Sequence, residues 1–402
     1  MSKSLPLSIL FLVLAASAAT ALGQGAPSQA EHVRALYETA RRHEGAGDWR
    51  GAERVWDEVV RVAPEDARAW VNLGVARNRQ ERTEEAIADW NRALLIDPKL
   101  AGAHFNIGLA LVRKGDSVSA IRPLRRALEL EPENEAARRS LSVALVGAER
   151  FQEASREIAR LLARAPRDAA LLELAAQSFM RQRRYAEAAT VLRRRLDLGG
   201  GTSHFWAMYG DALDGASRTP EAAEAYERAV RLAPDSNITR YGLGFLYWKL
   251  YRYEEAEREL AEVLRRDPAD ARAAFTLGDL YLTKGDAARS LPLLEQAARA
   301  YPEEFDTRFA LGRALMLTGE RERAVSELRV AVKLDDKIAD GHYQLGRALV
   351  QTGQKEEGGR ELERARALHD AKRATEAKRA LEAKPPAEAK PPVEAMPPRW
   401  NL

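Results

Sequence analysis

The feature that most constrains this chain is a period. Between residues 67 and 134 one 34-residue pattern is written twice: Trp70, Leu73, Gly74, Ala86, Trp90, Ala93 and Pro98, then His104, Ile107, Gly108, Ala120, Leu124, Ala127 and Pro132. Self-similarity at a fixed period of about 34 residues marks a stack of helix-turn-helix units, because one such unit cannot bury both of its faces alone.

The spacing inside each copy gives the helices. His104, Ile107, Gly108 and Leu111 fall at i, i+3, i+4 and i+7, one face of an amphipathic helix. The first copy has Arg77 in the last of these places, which shortens its stripe. Ala86, Trp90, Ala93 and Leu94 make the facing stripe of a second helix. Small residues at the Gly74 and Ala86 positions let two helix axes approach where they cross, so that Trp70, Leu73 and Trp90 interlock around the contact. Proline at 98 and 132 then ends the second helix.

The register runs without insertion over residues 33–370, making ten units. The first-helix position reads Ala40, Gly74, Gly108, Ser142, Ala176, Gly210, Gly244, Gly278, Gly312 and Gly346, all small. The second-helix position is alanine throughout except Ser290 and Gly358. The terminating proline recurs from Pro64 to Pro302 and is replaced at Gly200, Asp336 and Asp370.

On these columns, together with Gly47-Asp48-Trp49 and Trp70 with Leu73-Gly74, the chain resembles the tetratricopeptide repeat family over roughly 85% of its length. The resemblance implies an all-α, right-handed superhelical solenoid of about ten helix-turn-helix repeats, with each first helix lining a concave groove. The fourth, fifth and tenth units depart most from the family pattern. At Gly199-Gly200-Gly201 the repeat turn is lost, which reads either as a hinge or as an ordinary turn with glycine in place of proline; Thr202 or Ser203 is placed to cap the next helix.

The flanks differ in character. Residues 1–23 have Lys3, an apolar run over 5–16 and then small residues, the order of a secretory signal peptide; the competing reading is an uncleaved membrane anchor. Residues 24–32 read as a linker. Residues 371–383, rich in alanine and charge, suit a helix that caps the last repeat. Residues 384–402 repeat a Lys-Pro-Pro pattern and read as a disordered, Pro-rich tail or spacer, in which Trp400 is the one residue suited to anchoring.

Chemistry is sparse. Cysteine is absent, the six histidines show no metal-ligand spacing, and there is no phosphate loop or nucleophile turn, so no cofactor, metal site or enzymatic activity is expected. A net charge of +3 on 402 residues with interspersed signs gives no nucleic-acid stripe. Asn237-Ile238-Thr239 matches a glycosylation acceptor, a pattern too short to weigh.

Binding is expected on the first helices. In the seventh unit Tyr241, Phe245 and Trp248 form a stripe offset from the packing stripe Leu243, Tyr247 and Leu250, and it continues as Phe275 and Leu282, Phe309 and Met316, Tyr343 and Val350. By resemblance these positions face the groove; the alternative is packing between neighbouring first helices. Asn72 and Asn106 occupy equivalent places suited to a peptide backbone, or are incidental. The expected peptide-binding set is therefore Asn72, Phe105, Asn106, Tyr241, Phe245, Trp248, Phe275, Leu282, Phe309, Met316 and Tyr343. The family's carboxylate clamp is not found.

These readings make the chain a periplasmic or secreted scaffold for a protein or peptide ligand, with assembly of an envelope complex as the expected setting and no stable membrane span once the signal is cleaved. The alternatives are a periplasmic adaptor in polysaccharide synthesis or export, or a non-catalytic part of an enzyme complex. The oligomeric state is not read from the sequence. N-terminal sequencing of the mature protein should begin at Leu22 or Gln24; an intact Met1 on a membrane-bound product would favour the anchor.

Overall fold

Each predicted stripe becomes one helix. The computed structural model describes residues 28–382; the expected signal peptide, the linker through residue 27 and the Pro-rich tail lie outside that range. Among the described residues twenty helices follow one another in pairs: α1 (Gln29–Gly45) with α2 (Trp49–Val62), α3 (Ala67–Asn78) with α4 (Thr83–Ile96), α5 (Ala101–Arg113) with α6 (Ser117–Leu130), α7 (Glu135–Gly147) with α8 (Phe151–Arg164), and α9 (Ala169–Arg181) with α10 (Tyr185–Asp197). The second half continues with α11 (Ser203–Gly215) and α12 (Thr219–Leu232), α13 (Asn237–Lys249) and α14 (Tyr253–Arg266), α15 (Ala271–Thr283) and α16 (Ala287–Ala300), α17 (Phe305–Thr318) and α18 (Arg321–Leu334), and α19 (Ala339–Gln351) and α20 (Lys355–Glu382). No strand occurs among the described residues. The fold is an all-α solenoid of ten helical pairs.

Two flanking expectations are corrected. Ser28 caps α1 through a capping box with Glu31, so residues 29–32 are helix and not linker. At the other end no separate capping helix forms. Residues 371–382 prolong α20, and residues 371–379 are all exposed, so they do not cover the last repeat. Residues 371–379 carry only alanine, threonine and charged side chains, which offer little apolar surface to hold the stretch down.

The described residues divide into two compact units, with the division between Gly201 and Thr202. Gly199 and Gly200 have φ of +87° and +69° at this boundary. Proline is held near −65°, so Gly200 does not simply stand in for the proline of an ordinary repeat turn. Thr202 is the residue that caps α11, its side chain accepting from the Phe205 amide, while the Ser203 hydroxyl donates to the Ala229 carbonyl.

Within each unit the pairs close on the small-residue column. A methyl group added at Gly74 would lie 2.5 Å from Trp90 Nε1, and one at Gly312 would lie 2.5 Å from Leu328 Cγ. Fully buried Trp90, Leu124, Leu294 and Leu328 are thus the knobs for which the glycines leave room. Ser142 serves without glycine because it is fully buried and its hydroxyl donates to the Arg138 carbonyl.

The turn inside each repeat carries a second column. Residues 47, 81, 115, 149, 183, 217, 251, 285, 319 and 353 all have positive φ. At each, the following residue's amide reaches back to a carbonyl five residues earlier, as from Arg82 to Arg77 and from Asp286 to Tyr281, the 6→1 bond that closes a helix C-terminus. Five of these positions hold glycine, whereas Glu81, Glu149, Arg183, Ser217 and Tyr251 adopt the left-handed conformation against their preference.

A third column braces the turn between repeats. Trp70 Nε1 donates to the Pro64 carbonyl at 2.9 Å, Arg138 to Pro132 at 2.6 Å, Arg240 to Pro234 at 2.9 Å and Arg308 to Pro302 at 2.9 Å. The same side chains in α7, α13 and α17 also pair with Glu157, Glu259 and Glu327 on the second helix of their own repeat. His342 in α19 repeats the arrangement, with Nε2 on the Asp336 carbonyl at 3.0 Å and Nδ1 on Glu361 at 2.5 Å. Arg77, which shortened the second repeat's stripe, is instead a hub. It reaches Glu53 and Asp57 on α2 and buried Asp89 on α4 at 3.1, 3.0 and 2.8 Å.

Two substitutions in the second unit should therefore act in opposite directions. Gly312→Ala should lower stability by about 1–2 kcal/mol, the overpacking cost less alanine's helix preference. Ser217→Gly should raise it by about 0.5–1 kcal/mol by relieving the left-handed turn. Urea-unfolding midpoints of both variants check the signs.

Candidate functional site

In each unit the first helices of neighbouring repeats lie against one another, α3 on α5 and α5 on α7 in the first unit, α13 on α15 and α15 on α17 in the second. The second helices do not approach each other as closely. First helices on the inside of the curve follow, and side chains that they do not use for packing line its inner face.

The expected site residues divide between the units. Asn72, Phe105 and Asn106 are in the first, all half-buried on α3 and α5. Neither asparagine side chain makes a hydrogen bond among the described residues. The remaining eight are in the second unit.

There the column Tyr241, Phe275, Phe309 and Tyr343 places one ring on the first helix of each of four successive repeats. On α13, Tyr241 stacks on Phe245 (centroids 6.3 Å apart) and Phe245 on Trp248 (5.6 Å). On α17, Phe309 stacks on Phe305 at 5.3 Å. Tyr241, Phe275 and Phe309 are half-buried, whereas Tyr343 is 44% exposed and Val350, also on α19, 39%.

Four members serve the core, one wholly and three in part. Leu282 is only 4% exposed and lies in a cluster with Leu294, Leu311 and Leu315, so its expected place on a binding surface is corrected. Seven residues beyond Phe275, it points into the seam between α15 and the next repeat. Phe275 and Met316 pack onto that cluster, and Met316 and Phe309 onto the one around Leu345 and Leu349. The packing alternative thus describes Leu282 fully and these three in part.

The cations on these rings escaped the sequence reading. Arg313 lies over Phe309 and Arg347 over Tyr343, each at 5.7 Å, and Lys249 over Phe245 at 5.8 Å. A cation four residues beyond an aromatic on a helix is readable from spacing, and all three pairs have that spacing. Arg272, 4.9 Å over Tyr241, comes from the next repeat and leaves no such signal. Arg347 has no carboxylate partner among the described residues. Asp279 is on the same helix as Phe275; burial raises its carboxyl above the usual value, while Arg313 and Trp248 pull it back.

Asp279 and Trp248 give this face a spectroscopic handle. Asp279 should ionise above 3.8, the ordinary aspartate value, as pH rises. A fluorescence titration of the native protein minus that of Asp279→Asn should show one step with its midpoint above that value; a flat difference curve would remove the Trp248–Asp279 contact.

Comparisons with known proteins bear on the fold. Tetratricopeptide repeat profiles match residues 37–104, 174–237 and 275–340, and a second set matches 111–178 and 215–279. No curated protein matches the sequence. Among solved structures, a MamA chain from Desulfovibrio magneticus RS-1 (41-end) is 20% identical with a TM-score of 0.40 and aligns over 43% of this chain and 97% of its own. The Naa15/Naa10 structure bound to HypK-THB gives 16% identity and a TM-score of 0.46 over 84% of this chain and 64% of that one. No helix among the described residues is long and apolar enough to cross a membrane. By the family profiles, which together span most of its length, the chain belongs to the tetratricopeptide repeat family.

Proposed function

We propose that this protein is an exported, non-enzymatic scaffold whose second unit binds a peptide or protein segment along the inner face of α13, α15, α17 and α19. The observation that carries this reading is the aromatic column ending in Tyr343. A ring 44% exposed, beside a valine 39% exposed on the same helix, presents apolar surface that the repeat itself does not cover. The cations over the rings support a ligand that offers carboxylates or backbone carbonyls beside apolar side chains. Export rests on the order of segments in residues 1–23. The packing roles of Leu282, Phe275 and Met316 shift the expected contact toward Trp248, Phe309, Tyr343 and Arg347.

Replacing Tyr343 by a photo-crosslinking phenylalanine analogue in the native host, followed by mass spectrometry, should capture the ligand. Tyr343→Ala and Trp248→Ala should then weaken binding of that purified ligand by roughly 1–4 kcal/mol each with helix content unchanged. Full affinity in both variants would place binding elsewhere.

A further inference from the structure

A second surface lies in the first unit, away from the inner face. Residues 150–195 hold eleven arginines, no lysine and five carboxylates, whereas the whole chain carries a net charge of only +3. Where α8, α9 and α10 meet, two adjoining hollows of about 360 and 390 Å³ open to solvent. They share Ser155, Ala159 and Phe179. The larger part of the first wall is apolar, from Ile158, Leu162 and Val191.

The hollows exist because α8 and α10 are second helices, which diverge where first helices converge. Their floor is fixed by a polar cluster: Ser155 and Ser178 hydroxyls 2.9 Å apart, with Gln182 Nε2 donating to Ser155 at 2.8 Å and to the Phe151 carbonyl at 3.1 Å. These groups satisfy one another, so the floor makes no demand on a ligand.

The charge at the rim is one-sided. Arg194 borders the first hollow and Arg156 and Arg184 the second, while no carboxylate lines either. Arg184 lies 4.6 Å over the Phe179 ring and is paired with Glu187. Arg194 donates to the Pro166 carbonyl at 2.7 Å, and neither it nor Arg156 has a carboxylate partner among the described residues.

We infer that this trough binds an acidic peptide segment through two apolar side chains, one in each hollow, with its carboxylates on Arg156 and Arg194. The paired, open hollows fit separate side chains better than one continuous acyl chain, which would need an enclosed tunnel. Solvent-exposed guanidinium groups favour carboxylates and steer an acidic partner toward the surface. No residue of this surface belongs to the second unit, so the two readings stand or fall independently.

The test uses the full chain and fluorescein-labelled peptides of about twelve residues, rich in Glu and Asp, with two Leu or Phe side chains one, three or four places apart. Saturable anisotropy binding is expected for at least one spacing. It should weaken about ten-fold or more in Arg156→Glu, weaken further with Arg194→Glu, fall with added salt, and vanish in Ala159→Trp, which fills the shared wall. Binding that Trp248→Ala abolishes would place the peptide on the second unit and overturn the inference. Arg156→Glu alone keeps the test valid if the Arg194 variant misfolds by circular dichroism. The inference is overturned if no acidic peptide binds below about 1 mM, if peptides with Lys for Glu and Asp bind equally, if Arg156→Glu has no effect, or if phosphatidylglycerol vesicles displace the peptide and bind more tightly.

Discussion

Everything in this fold depends on how closely two helix axes can approach at one crossing. With hydrogen as the side chain at Gly74, Gly278 or Gly312, the partner helix places a whole Trp90, Leu294 or Leu328 against its backbone. Dispersion and burial reward this only while the gap is filled, since interiors pack like crystals and forfeit contact energy at any void. The crossing fixes the pair, and the pair fixes where the next repeat must sit. Once the small residue and its knob are set, the repeat can vary nearly everywhere else, and this chain does so.

That variation explains what was legible. The small column, the alanine column and the terminating proline are each one residue type repeated, so a period is visible. The left-handed turn column is legible only where it is glycine, as at Gly47 and Gly285, and is hidden at Glu81 and Tyr251, where backbone hydrogen bonding outweighs residue preference. The braces on the turn carbonyls are hidden for another reason. Tryptophan, arginine and histidine share only an N–H at a suitable reach, and such a column looks like noise to any search for repeated residues. Arg77 looked like a break in a stripe because its three carboxylates come from two other helices, which spacing along one helix cannot show.

The proposed binding face was legible as a column but not as a surface. Tyr241, Phe275, Phe309 and Tyr343 share one register position and do share one face. The position seven residues along from each holds Trp248, Leu282, Met316 and Val350, and these range from core to surface because the depth of the seam depends on the neighbouring repeat's side chains. Leu282 is drawn inward by Leu294, Leu311 and Leu315. Val350 is left outside because less packs over the last repeat.

A solenoid that repeats its surface offers a ligand the same contacts several times over, which supplies affinity without register. Register must come from positions that refuse to repeat. The place four residues beyond the aromatic column does this in the second unit: Phe245, Asp279, Arg313 and Arg347 set a ring, an acid and two bases in order on the first helices of four successive repeats. A segment sliding by one repeat would bring its own charge from Asp279 onto Arg313, and misplacing like charges in a partly buried groove costs more than the apolar contacts regain. On the proposed reading, the aromatic column supplies adhesion and the column beside it supplies the alignment in which a ligand fits.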